Sequence, residues 1–513
     1  MDFQLNITHI FHRMRTIYGT SEIIARGNSG IERFTYQQFT DLILRTAGYL
    51  RSIGIRPGDV VASLSWNTRH HLQLYFAVPL IGAVLNTVNI KYSEETIRWM
   101  IKQNGAKVLF YEDLPSVFPE GDDIIEISMD RDLDRKIEAM GTSVQIEDPE
   151  EEEAAIVCYT SGTTGDPKGV VYTHRSIVIH SLSLLGSDVL ALSRSDNILV
   201  VVPMYHISGW DVPFAAGLTG ANLVLPGTHP SPEDLLDIIR AARVNKAVAA
   251  PTVWTSLLER LESGGESFGP LKYAGIGGAE PSDYIIRKLA EYGIEAWHLW
   301  GMTETESIAS ISKPGINDIH HQGIAVPGFE LMVINGDKRP VKWDGRSTGE
   351  LIVRGAFATG TYYLRDKEST DRIIEIDGKD WLRTGDIVRI FPNGSFKIVD
   401  RDKDLIKSGG EWISSIDLEN AIMEHPEVLE AAVIGRRDLK WGERPVAVIV
   451  PRERFRNNIQ KESIINYLRS LNRFPRWWLP SDIYFTSEIP KTGTGKFDKK
   501  ALRQLYASLL DST

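Results

Sequence analysis

A single cysteine, Cys158, stands in 513 residues. One thiol excludes an internal disulfide and a zinc site of clustered thiolates, and it suits a reducing compartment. Long apolar runs are missing as well. The stretch from Ala77 to Leu85 falls far short of the roughly 20 residues that a membrane-spanning helix needs. The opening Met1-Asp2-Phe3-Gln4-Leu5-Asn6 has neither the basic leader nor the apolar core of a signal peptide, so a cytoplasmic location is expected. Excess positive charge is also absent: the net charge is −11, and residues 1–400 carry 38 Lys/Arg against 52 Asp/Glu. Non-specific nucleic-acid binding feeds on phosphate neutralisation and is not expected of such a body. Residues 401–513 reverse the balance, 19 against 16. A polyanionic ligand must therefore be held by local lysines, backbone amides or a metal ion.

What remains is ordinary globular composition, 42% apolar and 24% charged, with length for two large units or about three of average size. Runs beginning at Asp59, Lys107 and Asn197 read as buried strands, and Tyr36–Ile53 and Ser231–Ala242 have helical period. Ser231-Pro232-Glu233-Asp234 combines a capping serine, a first-turn proline and early acids. Strand–helix alternation over hundreds of residues predicts an α/β architecture with largely parallel sheets. Ile146–Glu153, acidic and interrupted by Pro149, reads as a solvated loop. After about Gly328 short strands and turns take over, and Asn393-Gly394 between apolar runs is a hairpin signal. The charged stretch Val399–Asp404 follows. A boundary is expected near Asp400, dividing a large domain, 1–400, from a small one, 401–513.

The most specific segment runs from Ile156 through Thr160, Ser161, Gly162, Thr163, Thr164 and Gly165 to Lys168, Gly169 and Val170. Glycines let backbone N–H groups wrap phosphate oxygens, hydroxyls add donors and lysine adds charge. A Walker A loop needs Gly-Lys-Ser/Thr, whereas Lys168 lies between Pro167 and Gly169. Cys158, on the strand before this loop and without a nearby histidine in sequence, reads as core.

Six further motifs follow in order: Pro203–His206, Gly277–Glu280, Trp300–Glu304, Trp381–Asp386, Asp400–Lys403 and Lys491–Lys496. With the glycine loop they resemble the adenylate-forming superfamily of acyl-CoA synthetases, nonribosomal adenylation domains and beetle luciferases, along nearly the whole chain. Ser408–Ser415 is most similar to the medium-chain acyl-CoA and methylthioalkanoate-CoA ligases. The resemblance implies a large multi-sheet N-terminal domain, with parallel-rich sheets and a β-barrel-like part, and a small mobile α+β C-terminal domain.

It also implies a chemistry. A carboxylate attacks the α-phosphorus of ATP and expels pyrophosphate, and a thiol then takes the acyl group from the adenylate as AMP leaves. Two anions meet in the first step, so positive charge must be concentrated there. The resemblance gives Lys496 that task and Glu304 the magnesium ion, for which a hard carboxylate with phosphate oxygens and water is suited. It places Thr303 on the α-phosphate, Asp386 and Arg401 at the ribose, and Gly278, Ala279 and Glu280 along the adenine. Trp300, Gly301, Met302, Lys407, Gly409 and Gly410 complete the expected nucleotide and thiol-step surfaces, with Glu411 and Trp412 nearby. Lys403 matches the hinge about which the small domain turns. His206 matches a gate to the acyl site, and Trp210 and Gly277 belong to the acyl pocket with Gly301. Acetate-activating relatives have tryptophan at the position of Gly301, so glycine is expected to leave room for a longer chain. Local alternatives stay open: Glu304 also reads as a helix-start acid, Asp386 as a turn aspartate, Gly301 as a tight-turn glycine, Lys403 as a linker lysine, and His206 and Trp210 as core.

The expected function is an AMP-forming acyl-CoA synthetase for a short- to medium-chain or modified aliphatic carboxylate, with ATP, Mg2+ and coenzyme A. An aryl-acid CoA ligase is the nearest enzymatic alternative, and a non-catalytic adenylate-binding protein the alternative of another class. Retention of Lys168, Glu304, Asp386, Arg401 and Lys496 together argues against a pure binder. No carrier-protein-like segment follows Thr513, which disfavours a self-contained nonribosomal module. The partners expected are small molecules; a homodimer is compatible with the resemblance, and the sequence leaves the oligomeric state open.

Overall fold

In the computed structural model the apolar runs become strands Val60–Leu64, Val108–Tyr111 and Asn197–Val200, and the periodic stretches become helices Tyr36–Ser52 and Pro232–Ala241. Ser231 caps the second helix as its sequence predicts, accepting the Asp234 N–H, with proline in the first turn. The residues described are 3–27, 29–114, 117, 124–160, 167–206, 209, 211–265, 267–359, 372–401, 404–408, 411–456, 458–491 and 497–506.

The chain divides into two compact units. One comprises Met1–Ala279, Lys288–Glu330 and Val353–Leu382; the other comprises Glu280–Arg287, Leu331–Ile352 and Arg383–Thr513. This division does not follow a single cut at Asp400, because Leu331–Ile352 and the strand residues from Arg383 group with the C-terminal segment.

The first unit holds two parallel-rich sheets. Nine strands run in the order Ile324–Ala325, Ser310–Ser312, Glu295–Trp300, Tyr273–Gly277, Lys246–Ala249, Asn197–Val200, Asn222–Leu225, Glu22–Gly27, Gly30–Thr35. The six from Glu295–Trp300 to Glu22–Gly27 pair in parallel. Six strands form the other, in the order Ile125–Ser128, Val108–Tyr111, Val60–Leu64, Val84–Thr87, Ala154–Thr160, Lys168–Thr173. Every residue of Val60–Leu64 is buried, as a parallel strand covered on both faces requires.

The acidic segment Ile146–Glu153 differs from its expectation. It lacks regular structure, but it is not merely solvated. The Asn6 amide donates to Asp148 Oδ1 at 2.7 Å and to the Pro149 carbonyl at 3.0 Å, and the Leu5 N–H donates to Glu151 Oε2 at 2.9 Å. Arg51 and Arg175 pair with Glu147 and Glu151. Its acids are the anchors of a strap, a role that composition cannot distinguish from solvation.

The β-rich stretch after Gly328 is a five-stranded sheet ordered Phe329–Ile334, Thr348–Gly355, Lys379–Ile390, Ile373–Ile376, with Phe396–Arg401 also on Lys379–Ile390. Among the described residues no pairing closes it into a barrel. Asn393-Gly394 makes the expected turn, with Gly394 at φ +82° between the last two strands in sequence.

The C-terminal segment is α+β. A hairpin of Val428–Asp438 and Gly442–Pro451 is flanked by Ile406–Ser408, Glu411–Ile413 and Asp482–Phe485, with helices Ser415–Met423, Lys461–Ser470 and Lys499–Leu505. Alternate hairpin residues enter different cores: Ala431, Val433, Ala447 and Ile449 join one, and Ala432, Ile434, Val446 and Val448 the other. The period of two thus buries both faces.

Candidate active site

Parallel strands deliver their C-terminal ends to a common side, where α/β proteins bind ligands. Gly277 and Trp300 close the adjacent parallel strands Tyr273–Gly277 and Glu295–Trp300. Gly278 follows at φ +90°, with no atom within 4 Å of where a Cβ would stand, and leads to Ala279 and Glu280. In the other sheet, Ala154–Thr160 and Lys168–Thr173 form an antiparallel hairpin with Thr160 opposite Lys168. The expected phosphate loop is therefore tied shut at its base, and its lysine lies on a strand. Ser161, Gly162, Thr163, Thr164 and Gly165 lie outside the described residues.

The loop after Trp300 turns sharply. Thr303–Thr305 is one 3-10 turn, Glu306 and Ser307 take left-handed φ values of +52° and +93°, and the chain doubles back so that Ala309 N–H donates to the Trp300 carbonyl at 2.9 Å. Non-glycine residues in that region are strained, which marks functional loops. A Cβ at Gly301 would lie 1.2 Å from the Ser307 carbonyl oxygen. The missing side chain at Gly301 makes room for the returning backbone, as the tight-turn alternative requires.

Thr303 and Glu304 are buried. Tyr172, on the lysine-bearing hairpin strand, donates its hydroxyl to the Thr303 carbonyl at 2.9 Å. Burial raises the Tyr172 pKa well above the usual phenol range, so the donor is retained. The Glu304 carboxylate pairs with Arg372, while its carbonyl accepts the Thr359 N–H at 2.8 Å. Neither Tyr172 nor Arg372 belongs to a motif read from sequence; they lie 131 and 68 residues from their partners, and no local signal marks them.

Pro203–His206 is held from beneath. The Asn67 amide donates to the carbonyls of Val200 and Val202 at 2.7 and 2.8 Å, Asn67 Oδ1 accepts the Met204 N–H at 2.8 Å, and Tyr75 donates to the Met204 carbonyl. His206 N–H donates to the Pro203 carbonyl at 3.0 Å, closing a turn. Trp210 lies outside the described residues.

In the second unit, Asp386 and Arg401 stand opposite each other on paired antiparallel strands, with Arg401 Nε 3.3 Å from Asp386 Oδ1. The two ribose candidates are thus brought together. Asp386 is buried and Arg401 half-exposed, an acceptor set beside a cation. Lys407 is exposed, on the strand Ile406–Ser408. Lys403, Gly409, Gly410 and Lys496 lie outside the described residues, as do the side chains of Glu411 and Trp412. Cys158 is buried beside Thr87 Oγ1, 2.9 Å away, as expected of a core residue.

The groups expected at the site fit these residues. Glu304 is a buried carboxylate that already faces a cation. Among the described residues no group of three or more His, Cys, Asp or Glu is preassembled for a metal. A hard carboxylate such as that of Glu304 suits Mg2+, which keeps water and phosphate oxygens in its shell.

The chain belongs to the AMP-binding enzyme family, which matches residues 15–363, with the AMP-binding enzyme C-terminal domain at residues 417–496. It is 38% identical to the long-chain-fatty-acid–CoA ligase of Thermus thermophilus, over 99% of this chain and 96% of that one. It is 33% identical to the medium-chain-fatty-acid–CoA ligase of Ectopseudomonas oleovorans, over 99% and 97%. The solved anthranilate CoA ligase AuaEII in complex with anthranoyl-AMP shares its fold, with a TM-score of 0.88 over 99% of both chains at 22% identity. The protein is an AMP-forming acid–CoA ligase whose ATP, Mg2+ and coenzyme A are those the sequence leads one to expect. Among the described residues no helix is long and apolar enough to cross a membrane.

Proposed function

We propose that this ligase activates a short- to medium-chain or modified aliphatic carboxylate in the cytoplasm. The observation that carries the aliphatic reading is identity of 33–38% across 99% of the chain to two ligases named for fatty acids. The anthranilate enzyme, at 22%, speaks to the fold alone.

Residue roles follow the motifs. Thr160, Lys168 and the loop between them cradle the phosphates, and Thr303 gives a hydroxyl to the α-phosphate. Glu304 holds magnesium, which supplies charge neutralisation at the phosphate oxygens. Asp386 and Arg401 take the ribose, Gly278–Glu280 the adenine, and His206 gates the acyl site that Gly277 and Trp210 line. Lys496 neutralises the two anions as they meet. The small domain then turns about Lys403 and presents Lys407 and Gly409–Gly410 for the thiol step.

Release of AMP with coenzyme A across straight-chain, branched, methylthio and aryl acids tests the acid class. The highest kcat/KM is expected among short and medium aliphatic acids. A maximum on long-chain acids would correct the chain length, and a maximum on aryl acids would overturn the aliphatic reading.

A further inference from the structure

His180 lies on the helix His174–Ser183 and is fully buried, in neither the glycine loop nor any motif. Its ring touches two loops the reaction needs. Nδ1 is 2.8 Å from Asp211 Oδ2, and Nε2 is 3.1 Å from the Ile308 carbonyl oxygen. Asp211 ends the segment that begins with Pro203–His206 and opens the helix Val212–Thr219, at a left-handed φ of +54°. Ile308 follows the strained residues Glu306 and Ser307 that shape the Thr303-Glu304 turn. The three chain segments meet at one imidazole.

Proton accounting fixes what this contact is. The Ile308 carbonyl can only accept, so Nε2 carries a hydrogen. Nδ1 then meets a carboxyl oxygen at hydrogen-bond distance, which requires a second hydrogen between them. Whether written as imidazolium with carboxylate or as imidazole with carboxylic acid, the pair holds two protons and no net charge. Asp211 Oδ1 has no partner among the described residues, so this one bond secures the side chain. Burial raises the Asp211 pKa above the usual carboxylate value, against the opposing pull of its bond to His180. An unpaired charge here would be costly, and a neutral bonded pair is the arrangement that burial tolerates.

We infer that His180 and Asp211 are positioning residues that fix the acyl-gate loop against the magnesium-nucleotide turn, so that His206 and Glu304 are set in register before substrates bind. The inference rests on the loop roles proposed above. It predicts a dependence that neither loop alone would have: loosening the bridge weakens carboxylate and Mg·ATP binding together.

Pyrophosphate–ATP exchange on the full-length protein, with the acid of highest wild-type rate, tests this through His180→Leu, Asp211→Leu and Asp211→Asn. Both leucine variants are expected to raise the KM for Mg·ATP and for the acid by about 10- to 100-fold, the usual cost of losing a group that orients a liganding residue. The KM for coenzyme A, read separately from AMP release in the full reaction, should stay unchanged. Asp211→Asn, whose amide can donate to Nδ1, should stay within about threefold of wild type on both. The Nε2–H of 15N-labelled His180, bonded to the Ile308 carbonyl, should be exchange-protected in wild type and Asp211→Asn and should exchange faster in Asp211→Leu, where the ring has lost its other anchor. Leucine variants that lose melting temperature yet keep wild-type KM values would make the bridge merely structural and overturn the inference. So would an Asp211→Asn variant as impaired as Asp211→Leu, or a ring proton that exchanges no faster in Asp211→Leu than in wild type. If His180→Leu does not fold, the Asp211 pair and the ring proton decide alone. Glu304→Gln and His206→Ala run in parallel: wild-type KM values in those would refute the loop roles, whereas the ring proton would still report the bridge.

Discussion

Gly301→Ala adds one methyl group at a place where the sequence promises space and the structure has none. Ordinary contact between carbon and oxygen needs about 3.4 Å, and the new Cβ would start 1.2 Å from the Ser307 carbonyl oxygen. Roughly 2 Å of backbone displacement is needed, and rotamer changes cannot supply it. Overpacking a core costs about 1–3 kcal/mol when side chains can yield. Here the backbone itself must move, so the loss should reach or exceed the top of that range. The displaced residue lies three positions from Glu304 and next to Ile308, and a misplacement of ~1 Å can cost on the order of 100-fold in rate. Gly301→Ala is therefore expected to lower exchange at least about 100-fold for every acid, with a lower denaturation midpoint. Exchange assays over acids of increasing length, beside urea unfolding of both proteins, measure this. A variant that keeps wild-type stability and rate while favouring shorter acids would restore Gly301 as a pocket floor and refute the steric argument.

Other expectations follow from other parts of the chain. Lys496→Ala should abolish adenylation while preformed acyl-adenylate still yields thioester; parental exchange rates would sink the lysine's role, and Lys403→Pro should likewise separate the two half-reactions. Arg372→Met should remove the guanidinium that pairs with Glu304 and cost about 1–3 kcal/mol, less than a fully buried pair because Arg372 is part-exposed. Mg·ATP should then raise the melting temperature of that variant more than that of wild type. Burial lowers the pKa of His71, His174 and His298 to about 4. Unfolded histidine takes its proton near 6.5, so the stability these three contribute is full above that pH and is lost as pH falls toward 4, about 2 kcal/mol each by pH 5. His70, which its bonds to Asp134 and Glu112 hold above the usual value despite burial, works the other way. Urea midpoints at pH 7 and pH 5 test the sum, and equal midpoints would contradict it.

Much of the fold was legible because its signals are local. Ser231 caps its helix, Gly394 turns its hairpin, and the apolar runs became strands within a residue or two. The motif residues were legible for the same reason: glycine, hydroxyl and charge at fixed spacing. What stayed hidden acts over distance. Asn67 clips residues more than 130 positions away, Tyr172 holds Thr303, and Arg372 waits on Glu304. Nothing in the neighbourhood of such residues in sequence distinguishes them from ordinary polar positions. The turn at Gly301 and the strap at Ile146–Glu153 stay hidden because absence of a side chain and abundance of acid each have two physical meanings. Only the third dimension selects one.

The C-terminal hairpin carries a vulnerability of its own. Because both faces are apolar along Ala431–Ile434 and Val446–Ile449, sliding one strand by a residue would still present oil to oil there, and that stretch alone cannot veto the slip. The alignment is written instead in the bend, where Asp438 Oδ1 accepts the N–H groups of Lys440 and Trp441 at 2.9 Å each and Gly442 takes φ +80°. A few exposed polar atoms at the tip thus choose which of two greasy cores each side chain enters, and a mistake made there during folding would be copied down the whole length of both strands.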